Sequence, residues 1–183
     1  TMTIQVFGAD ATVSYLNRAF SDTSPANAIF ANQVAHAKSI GDAAFANAFG
    51  ASFSGLSNAV LSKQVLTNMG ILPSTDQSVT ALEGELADYF AAYGSQTPGS
   101  NGQVIADTRG FIVYQLSGIL AGLETKTGAQ AVYNAAAVAW NSEVASAYTY
   151  SSNTTNTTST QSGSTGQSLT LTVNQDNSVG GTG

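Results

Sequence analysis

Apolar side chains recur at helical spacing along most of residues 1–150. The most regular stretch is 103–123, in which the apolar positions are Ile105, Ile112, Leu116, Ile119, Leu120 and Leu123. These positions fall along one side of a repeat of about 3.6 residues, so they predict a helix that is buried on most of its circumference and forms the core of the domain. Its apolar run of about thirteen residues is too short for a membrane span, which needs about twenty. We therefore predict no membrane span.

Two glycines, Gly118 and Gly122, lie one turn apart in this predicted central helix. Glycine in a helix interior is less favourable than alanine by about 1 kcal/mol, so we expect a neighbouring helix to approach closely at this face. The segment 129–148 is predicted as that neighbour, because small and apolar residues return in it at steps of three and four: Val132, Tyr133, Ala136, Ala137, Trp140, Val144 and Ala147.

Capping and turn residues mark five earlier helices. The expected helix entries are at Asp10, Asp22, Asp42, Ser54 or Ser57, and Thr75 or Asp76, with Pro25 in the first turn of the second helix. The expected stops are Gly70, which is followed by Pro73, and Gly94. Gly50 and Gly55 are predicted to bracket a turn, and residues 95–102 to form a loop.

The composition changes at Thr149, after which about twenty residues carry no aliphatic side chain. The LTLTV run at 169–173 then alternates in the manner of a strand, with apolar Leu169, Leu171 and Val173. We predict an all-α, bundle-like domain at 1–150, an extended polar linker at 151–167, and a single β-strand at 168–183 that opens a truncated β or repeat domain. An isolated strand is unstable in water, so Leu169, Leu171 and Val173 are predicted to mediate assembly with a neighbouring subunit or a downstream domain.

Charge and cysteine content exclude several classes of function. Only 9% of the residues are charged, compared with about 25% in typical soluble domains. The net charge is −6 with five Lys and Arg together, so binding to nucleic acid by counterion release is not expected. The chain has no Cys and therefore no disulfide or thiolate chemistry.

The residues that carry chemistry do not form a recognisable catalytic motif. His36 is the single imidazole, and no Gly-x-Ser-x-Gly nucleophile elbow occurs. Glu83 and Glu85 point about 200° apart on a helix, so they cannot act on one substrate as an acid and base pair. Asp107 and Arg109 are either a buried polar pair that anchors the start of the central helix or two exposed first-turn residues.

Two loops offer hard oxygen ligands for calcium. Asp22 is followed by Thr23 and Ser24, and the tail contains Asn174, Asp176 and Asn177. Helix capping explains Asp22 without a metal. A set of aromatic residues could instead line a sugar-binding groove or belong to the core: Tyr89, Phe90, Tyr93, Tyr148 and Tyr150.

Four runs carry a family resemblance: LSGILAGLE at 116–124, AAAVAWNSEVASAYTYS at 135–151, SLTLTVNQDN at 168–177 and GGTG at 180–183. GGTG matches the opening of the calcium-binding nonapeptide repeat G-G-x-G-x-D. In this order the runs resemble the N-terminal helical domain of bacterial S-layer and RTX-type surface proteins exported by type I secretion.

The resemblance implies a non-enzymatic, extracellular structural protein of the bacterial cell surface. In that family the helical domain anchors a self-assembling lattice, in the best-understood case by binding lipopolysaccharide O-antigen sugars, and calcium orders the assembly. The expected partners are other copies of the chain or a neighbouring subunit, and surface polysaccharide. The alternatives are a protein-interaction module of a secreted adhesin and, from another class, a hydrolase that uses His36 or the carboxylates.

Overall fold

Helices make up most of the chain. A computed structural model describes residues 5–161. Its elements are α1 (Gly8–Ser21), α2 (Asn27–Ile40), α3 (Asp42–Ala51), α4 (Asn58–Asn68), α5 (Gln77–Thr80), α6 (Leu82–Tyr93), the strands β1 (Gln96–Pro98) and β2 (Val104–Asp107), α7 (Arg109–Ala121), a 3₁₀ helix (Gly128–Tyr133) and α8 (Asn134–Ser152). The predicted helical character of the domain is confirmed. Among the described residues, no helix has the length and apolar character needed to cross a membrane.

The first helix, α1, lies at the centre of the bundle and packs against α2, α3, α4, α7 and α8. Four of its apolar residues are fully buried: Val13, Leu16, Ala19 and Phe20. Buried polar residues share this helix, and Asn17 bonds both to the Val13 carbonyl at 2.9 Å and to Gln33 of α2 at 2.7 Å. Polar and apolar residues of α1 are both buried. The spacing of its apolar residues therefore did not identify α1 as the central helix.

The carbonyl groups at the end of α1 are satisfied from outside the helix. The Gln64 side-chain amide donates to the Phe20 carbonyl at 2.7 Å, and the Asn68 amide donates to the Ala19 carbonyl at 2.9 Å. The last carbonyls of a helix have no partner within it, so these two amides of α4 replace water at a buried helix end. They fix α4 against α1 in one register.

The predicted start of the central helix at Gln103 is wrong. Residues 104–107 form the strand β2, which pairs antiparallel with β1. The strand β1 lies inside the region 95–102 predicted as a loop. Gly102 provides the turn between the strands with φ of 82°, and the β-branched pair Val104 and Ile105 follows it. Ile105, expected on the buried helix face, is 51% exposed on this hairpin.

The expectation of close helix packing at Gly118 and Gly122 is also wrong, because a Cβ built on Gly118 would meet nothing within 4 Å. The close approach is at Gly50 and Gly110 instead. A Cβ on Gly110 would overlap the carbonyl oxygen of Ala46 and lie 2.7 Å from its carbonyl carbon. A Cβ on Gly50 would lie 2.9 Å from the backbone carbonyl oxygen of Asp107. Gly50 lies in the last turn of α3, just before the predicted turn, and lets α3 and α7 touch backbone to backbone.

The last helix does pack on α7, as expected, through polar contacts rather than glycines. The indole N–H of Trp140 donates to the Ser117 carbonyl at 3.1 Å, and the Asn141 amide donates to the Ala121 carbonyl at 2.9 Å. Trp140 is 1% exposed, so its single polar group is satisfied inside the core.

Two of the predicted helix caps are present. Ser57 caps α4 by accepting from the Val60 N–H at 3.2 Å, and Asp76 caps α5 by accepting from the Ser78 N–H at 2.8 Å. Asp10 lies instead in the first turn of α1, and Asp22 follows its last residue with φ of 52°. Asp22 therefore lies at the end of a helix and not at the start of one. Its backbone is in the left-handed conformation, which Asp tolerates better than most residues.

The nine residues 153–161, called the C-terminal strap below, return to the helical domain. Ser24 and Thr160 exchange two backbone hydrogen bonds of 2.7 and 3.0 Å. The hydroxyl of Ser151, at the end of α8, donates to the Pro25 carbonyl at 2.7 Å. The first part of the predicted polar linker is therefore bonded to the turn between α1 and α2. The remainder of that linker and the predicted strand at 169–173 lie outside the described residues.

The strap also caps α2, which has no side-chain cap of its own. The Ala26 N–H donates to the Ser159 hydroxyl oxygen at 2.9 Å, and the Asn27 N–H donates to the Asn156 carbonyl at 2.9 Å. The first N–H groups of a helix need acceptors from outside it. The Ser, Thr and Asn residues that cannot build an apolar core therefore satisfy the polar groups at this helix start.

A methyl group added at the α3–α7 crossing should destabilise the protein, whereas the same change at the predicted glycine face should not. Gly110→Ala is expected to lower the free energy of unfolding by about 3 kcal/mol or more, because backbone atoms block the new Cβ. Gly118→Ala, the matched control, is expected to be neutral or to stabilise by up to about 1 kcal/mol. Urea unfolding of both variants measures the difference. Equal effects would contradict the assignment of the crossing.

Removing the strap should lower thermal stability. A chain that ends at Ser152 is expected to melt at least about 5 °C below one that ends at Gln161, since several hydrogen bonds to the α1–α2 turn are lost. Deletion of residues 168–183 is the control, and we expect it to leave the melting temperature nearly unchanged. Thermal melts followed by circular dichroism report both. A chain ending at Ser152 that melts like the longer one would show that the strap contributes no stability.

Candidate functional site

Asp107 and Arg109 form a buried ion pair at the junction of β2 and α7. Of the two alternatives left open by the sequence, the buried pair is the one observed, since Asp107 is 1% and Arg109 4% exposed. The guanidinium Nε lies 3.1 Å from both Asp107 oxygens, and Nη2 lies 2.9 Å from Oδ2. The Arg109 backbone N–H also donates to Asp107 Oδ1, at 3.0 Å. The pair thereby fixes the first turn of α7.

The remaining donors of Arg109 reach the loop between α3 and α4 and the first residue of α4. Nη1 donates to the Leu56 carbonyl at 2.9 Å and to Asn58 Oδ1 at 3.0 Å, and Nη2 donates to the Phe53 carbonyl at 3.3 Å. The guanidinium carbon lies 5.8 Å from the centre of the Phe90 ring. Every N–H group of this guanidinium is thus used within the protein, so the pair is a structural connection rather than an anion-binding group.

A surface pocket of about 520 Å³ opens over this ion pair. Its walls are the start of α4, with Ser57 and Asn58, and the end of α6, with Ala91 and Gly94. Gln96 of β1 closes one side, and its side-chain amide donates to the Ser54 carbonyl at 2.9 Å and to Asp107 Oδ2 at 3.2 Å. The hairpin that the sequence did not predict is therefore part of the pocket.

A second buried arginine, Arg18, was missed by the sequence reasoning. It is 1% exposed and its Nη2 lies 2.7 Å from Asp22 Oδ1 and 3.1 Å from Glu143 Oε2. Its Nη1 donates to the Ser24 hydroxyl at 3.3 Å. The spacing of Arg18 and Asp22 by four residues on a helix was a usable signal. Glu143 comes from α8 and could be placed beside them only by the tertiary structure.

The predicted calcium ligands around Asp22 are engaged by protein groups. The Asp22 carboxylate and the Ser24 hydroxyl both contact the Arg18 guanidinium, and the Thr23 hydroxyl donates to the Ser21 carbonyl at 2.9 Å. Between residues 5 and 161, no three His, Cys, Asp or Glu side chains come together as a metal site. The tail ligands Asn174, Asp176 and Asn177, like the assembly residues Leu169, Leu171 and Val173, lie outside the described residues, and calcium binding stays a prediction.

His36 is an exposed residue of α2. Its ring lies 5.6 Å from the Phe45 ring, edge to face at 90°. The imidazole is therefore oriented by its packing against Phe45 of α3. The hydrolase alternative, which would use His36 or the carboxylates, stays a prediction.

The predicted aromatic set is divided between two regions. Tyr89 and Tyr93 are 48% and 67% exposed on α6, and their ring centres are 4.6 Å apart. Phe90, between them in sequence, is 1% exposed in the core. Tyr148 packs on Phe30 with ring centres 6.1 Å apart. The fifth member, Tyr150, donates from its hydroxyl to the Thr158 carbonyl of the strap at 2.6 Å. Tyr89 and Tyr93, called the tyrosine pair below, are the most exposed members of this set.

The carboxyl group of Asp22 has a raised pKa. Burial raises the pKa, the charge of Arg18 lowers it and the charge of Glu143 raises it, and together they bring the pKa from its ordinary value to about 7. A group whose pKa is higher in the folded than in the unfolded state stabilises the fold at low pH and loses that contribution as the pH rises through the folded value. The side chain is 44% exposed, so solvent screens the charges and the effect on stability is expected to be small.

Asp22→Asn should remove this pH dependence. Asn keeps an oxygen for Arg18 and tolerates the left-handed conformation, but it has no charge to gain. We expect the stability of the variant relative to the wild type to be higher at pH 8 than at pH 4.5. Urea unfolding at both pH values measures it, with Asp88→Asn as the control for an exposed carboxyl group. A difference between variant and wild type that is the same at both pH values would contradict the prediction.

Comparison with known proteins assigns no family to this chain. No protein-family model, no curated protein and no solved structure matches it. The resemblance to surface-layer proteins therefore remains an expectation from the sequence, and the function proposed below is argued from the residues of this chain.

Proposed function

We propose that this chain is a non-enzymatic structural protein of the bacterial cell surface, whose helical domain anchors it to surface polysaccharide. The composition supports an extracellular role, because only 9% of the residues are charged and none is Cys. Hydroxyl and amide groups supply most of the polar character, and such groups exchange hydrogen bonds with sugars without a cost of neutralising charge. The quoted resemblance points the same way.

The observation that carries an anchoring role is the tyrosine pair on α6. Two neighbouring rings, 48% and 67% exposed, form an apolar surface with two phenol hydroxyls at its edge. Exposed tyrosines of this kind are enriched where proteins contact partners, because the ring contributes apolar area and the hydroxyl a hydrogen bond. The flat faces of the rings also suit the apolar face of a sugar ring. The pair lies on a regular helix, so it is held in place without a partner.

The same surface also fits the second candidate, a protein-interaction module of a secreted adhesin. Tyrosine contributes strongly to protein interfaces as well. The two candidates differ in the chemical nature of the partner, which the binding experiment below identifies directly.

Removing the tyrosine pair should weaken attachment. We expect Tyr89→Ala combined with Tyr93→Ala to weaken binding of the labelled chain to the producing cells by about tenfold or more, because central aromatic contacts dominate binding energy. The matched control combines Ile119→Ala with Val138→Ala, which removes two exposed apolar side chains of α7 and α8 (58% and 52% exposed). Circular dichroism checks that both double variants fold.

The partner is identified by repeating the assay with polysaccharide extracted from the same cells and with protease-treated cells. Binding to the polysaccharide that survives protease treatment supports the anchor. Binding that protease abolishes supports the adhesin module instead. Equal binding by the tyrosine variant and the wild type would overturn the role given to the pair.

A further inference from the structure

The pocket above the Asp107–Arg109 pair has a lining suited to one class of ligand. We propose that it is a binding subsite for a single uncharged sugar residue. The proposal rests on the proposed function, which it deepens by naming the ligand class and a second contact region. The tyrosine pair is not part of the pocket lining, so the two regions are testable separately.

Charged ligands lack a partner in this pocket. An anion would need a free cationic donor, yet each donor of Arg109 is already bonded to Asp107, to Asn58 or to a backbone carbonyl. A cation would need a free carboxylate, yet both oxygens of Asp107 accept from Arg109, and Oδ2 also accepts from Gln96. The charges at the base of the pocket neutralise each other, and a ligand that displaced either would leave the other buried and unpaired.

Neutral donors and acceptors remain on the walls. Asn58 uses its oxygen for Arg109, which leaves its NH₂ group for a ligand. Gln96 uses its NH₂ group for Ser54 and Asp107, which leaves its oxygen. Ser57 accepts from the Val60 N–H, which leaves its hydroxyl proton. The pocket thus presents an amide donor, an amide acceptor and a hydroxyl donor. Each of the three side chains is held in place by the hydrogen bond that its other polar atom makes to the protein.

Hydroxyl-rich rings match such a lining, since each sugar hydroxyl both donates and accepts. The bonds to Arg109, Ser54 and Val60 orient the three polar groups before a ligand arrives, which lowers the entropy cost of binding. The volume of about 520 Å³ lies within the range of about 300–1,000 Å³ for small-molecule sites. Ala91 and Gly94 on the α6 side carry no long side chain, so they leave this space open.

The experiment measures saturation-transfer NMR signals of small sugars with the full chain. The probes are the methyl glycosides of glucose, galactose and mannose, together with glucuronate as the anionic and glucosamine as the cationic counterpart. We expect at least one neutral glycoside to give a signal, with an affinity at least about tenfold higher than that of its charged counterparts. A stronger signal from glucuronate or glucosamine would overturn the assigned ligand class.

A matched pair of variants locates the site. Ala91→Trp places an indole in the pocket and is expected to remove the signal, whereas Ala92→Trp adds the same side chain at the next exposed position of α6, outside the lining, and is expected to keep it. Asn58→Asp keeps an oxygen for Arg109 but replaces the free NH₂ group by a charged oxygen. We expect it to raise the signal of glucosamine relative to the neutral glycoside several-fold. Signals unchanged in both Ala91→Trp and Asn58→Asp would show that sugars bind elsewhere.

Failure of this inference is distinguishable from failure of the proposed function. If no sugar gives a signal while the chain still attaches to cells through the tyrosine pair, the pocket inference is overturned and the anchoring role stands. If a neutral glycoside binds in the pocket but the chain does not attach to cells, the anchoring role is overturned and the subsite stands.

Discussion

The fold depends on one buried arginine, Arg109, which connects two parts of the chain that are distant in sequence. Its guanidinium joins Asp107 at the end of the hairpin to the carbonyls of the α3–α4 loop. Removing one partner of such a pair costs about 3–5 kcal/mol, because the other charge is left buried. The contact requires α3 and α7 to approach within backbone distance, and Gly50 and Gly110 permit that approach. Charge pairing and glycine packing therefore act together at one junction.

The second arginine makes the corresponding connection at the other end of the chain. Arg18 of α1 holds Asp22 and Glu143, and it contacts Ser24, whose backbone pairs with the strap. Both arginines of the described chain are thus inside the fold, and its lysines, Lys38, Lys63 and Lys126, are exposed. A surface with so little positive charge offers mainly hydroxyl, amide and carboxylate groups for its interactions. The pocket and the tyrosine pair are both built from such groups and from aromatic rings.

Hydrogen bonds of polar side chains hold several of the helices against one another, in addition to apolar packing. Gln64 and Asn68 complete the end of α1, Asn156 and Ser159 complete the start of α2, and Trp140 and Asn141 join α8 to α7 by hydrogen bonds. Buried polar groups cost free energy unless they are bonded, so these contacts specify one arrangement of the helices. This accounts for a stable interior in a chain that is rich in Ser, Thr and Asn.

The sequence by itself determined the helical class, the approximate position of most helices, a cap at Ser54 or Ser57 and another at Thr75 or Asp76, and most of the buried side of the last helix, although Val132 is 41% exposed. These features follow from local spacing and capping, which act within a few residues. Only the tertiary structure decided the hairpin at 96–107, the glycine contact of α3 with α7, and the partners of the two arginines. Each of these depends on atoms brought together from distant parts of the chain: α3 supplies the backbone that Gly110 meets, and α8 supplies the carboxylate that Arg18 meets. Local pattern carries no information about which distant segment becomes the neighbour, so the pocket over Arg109 became visible only once the chain was folded.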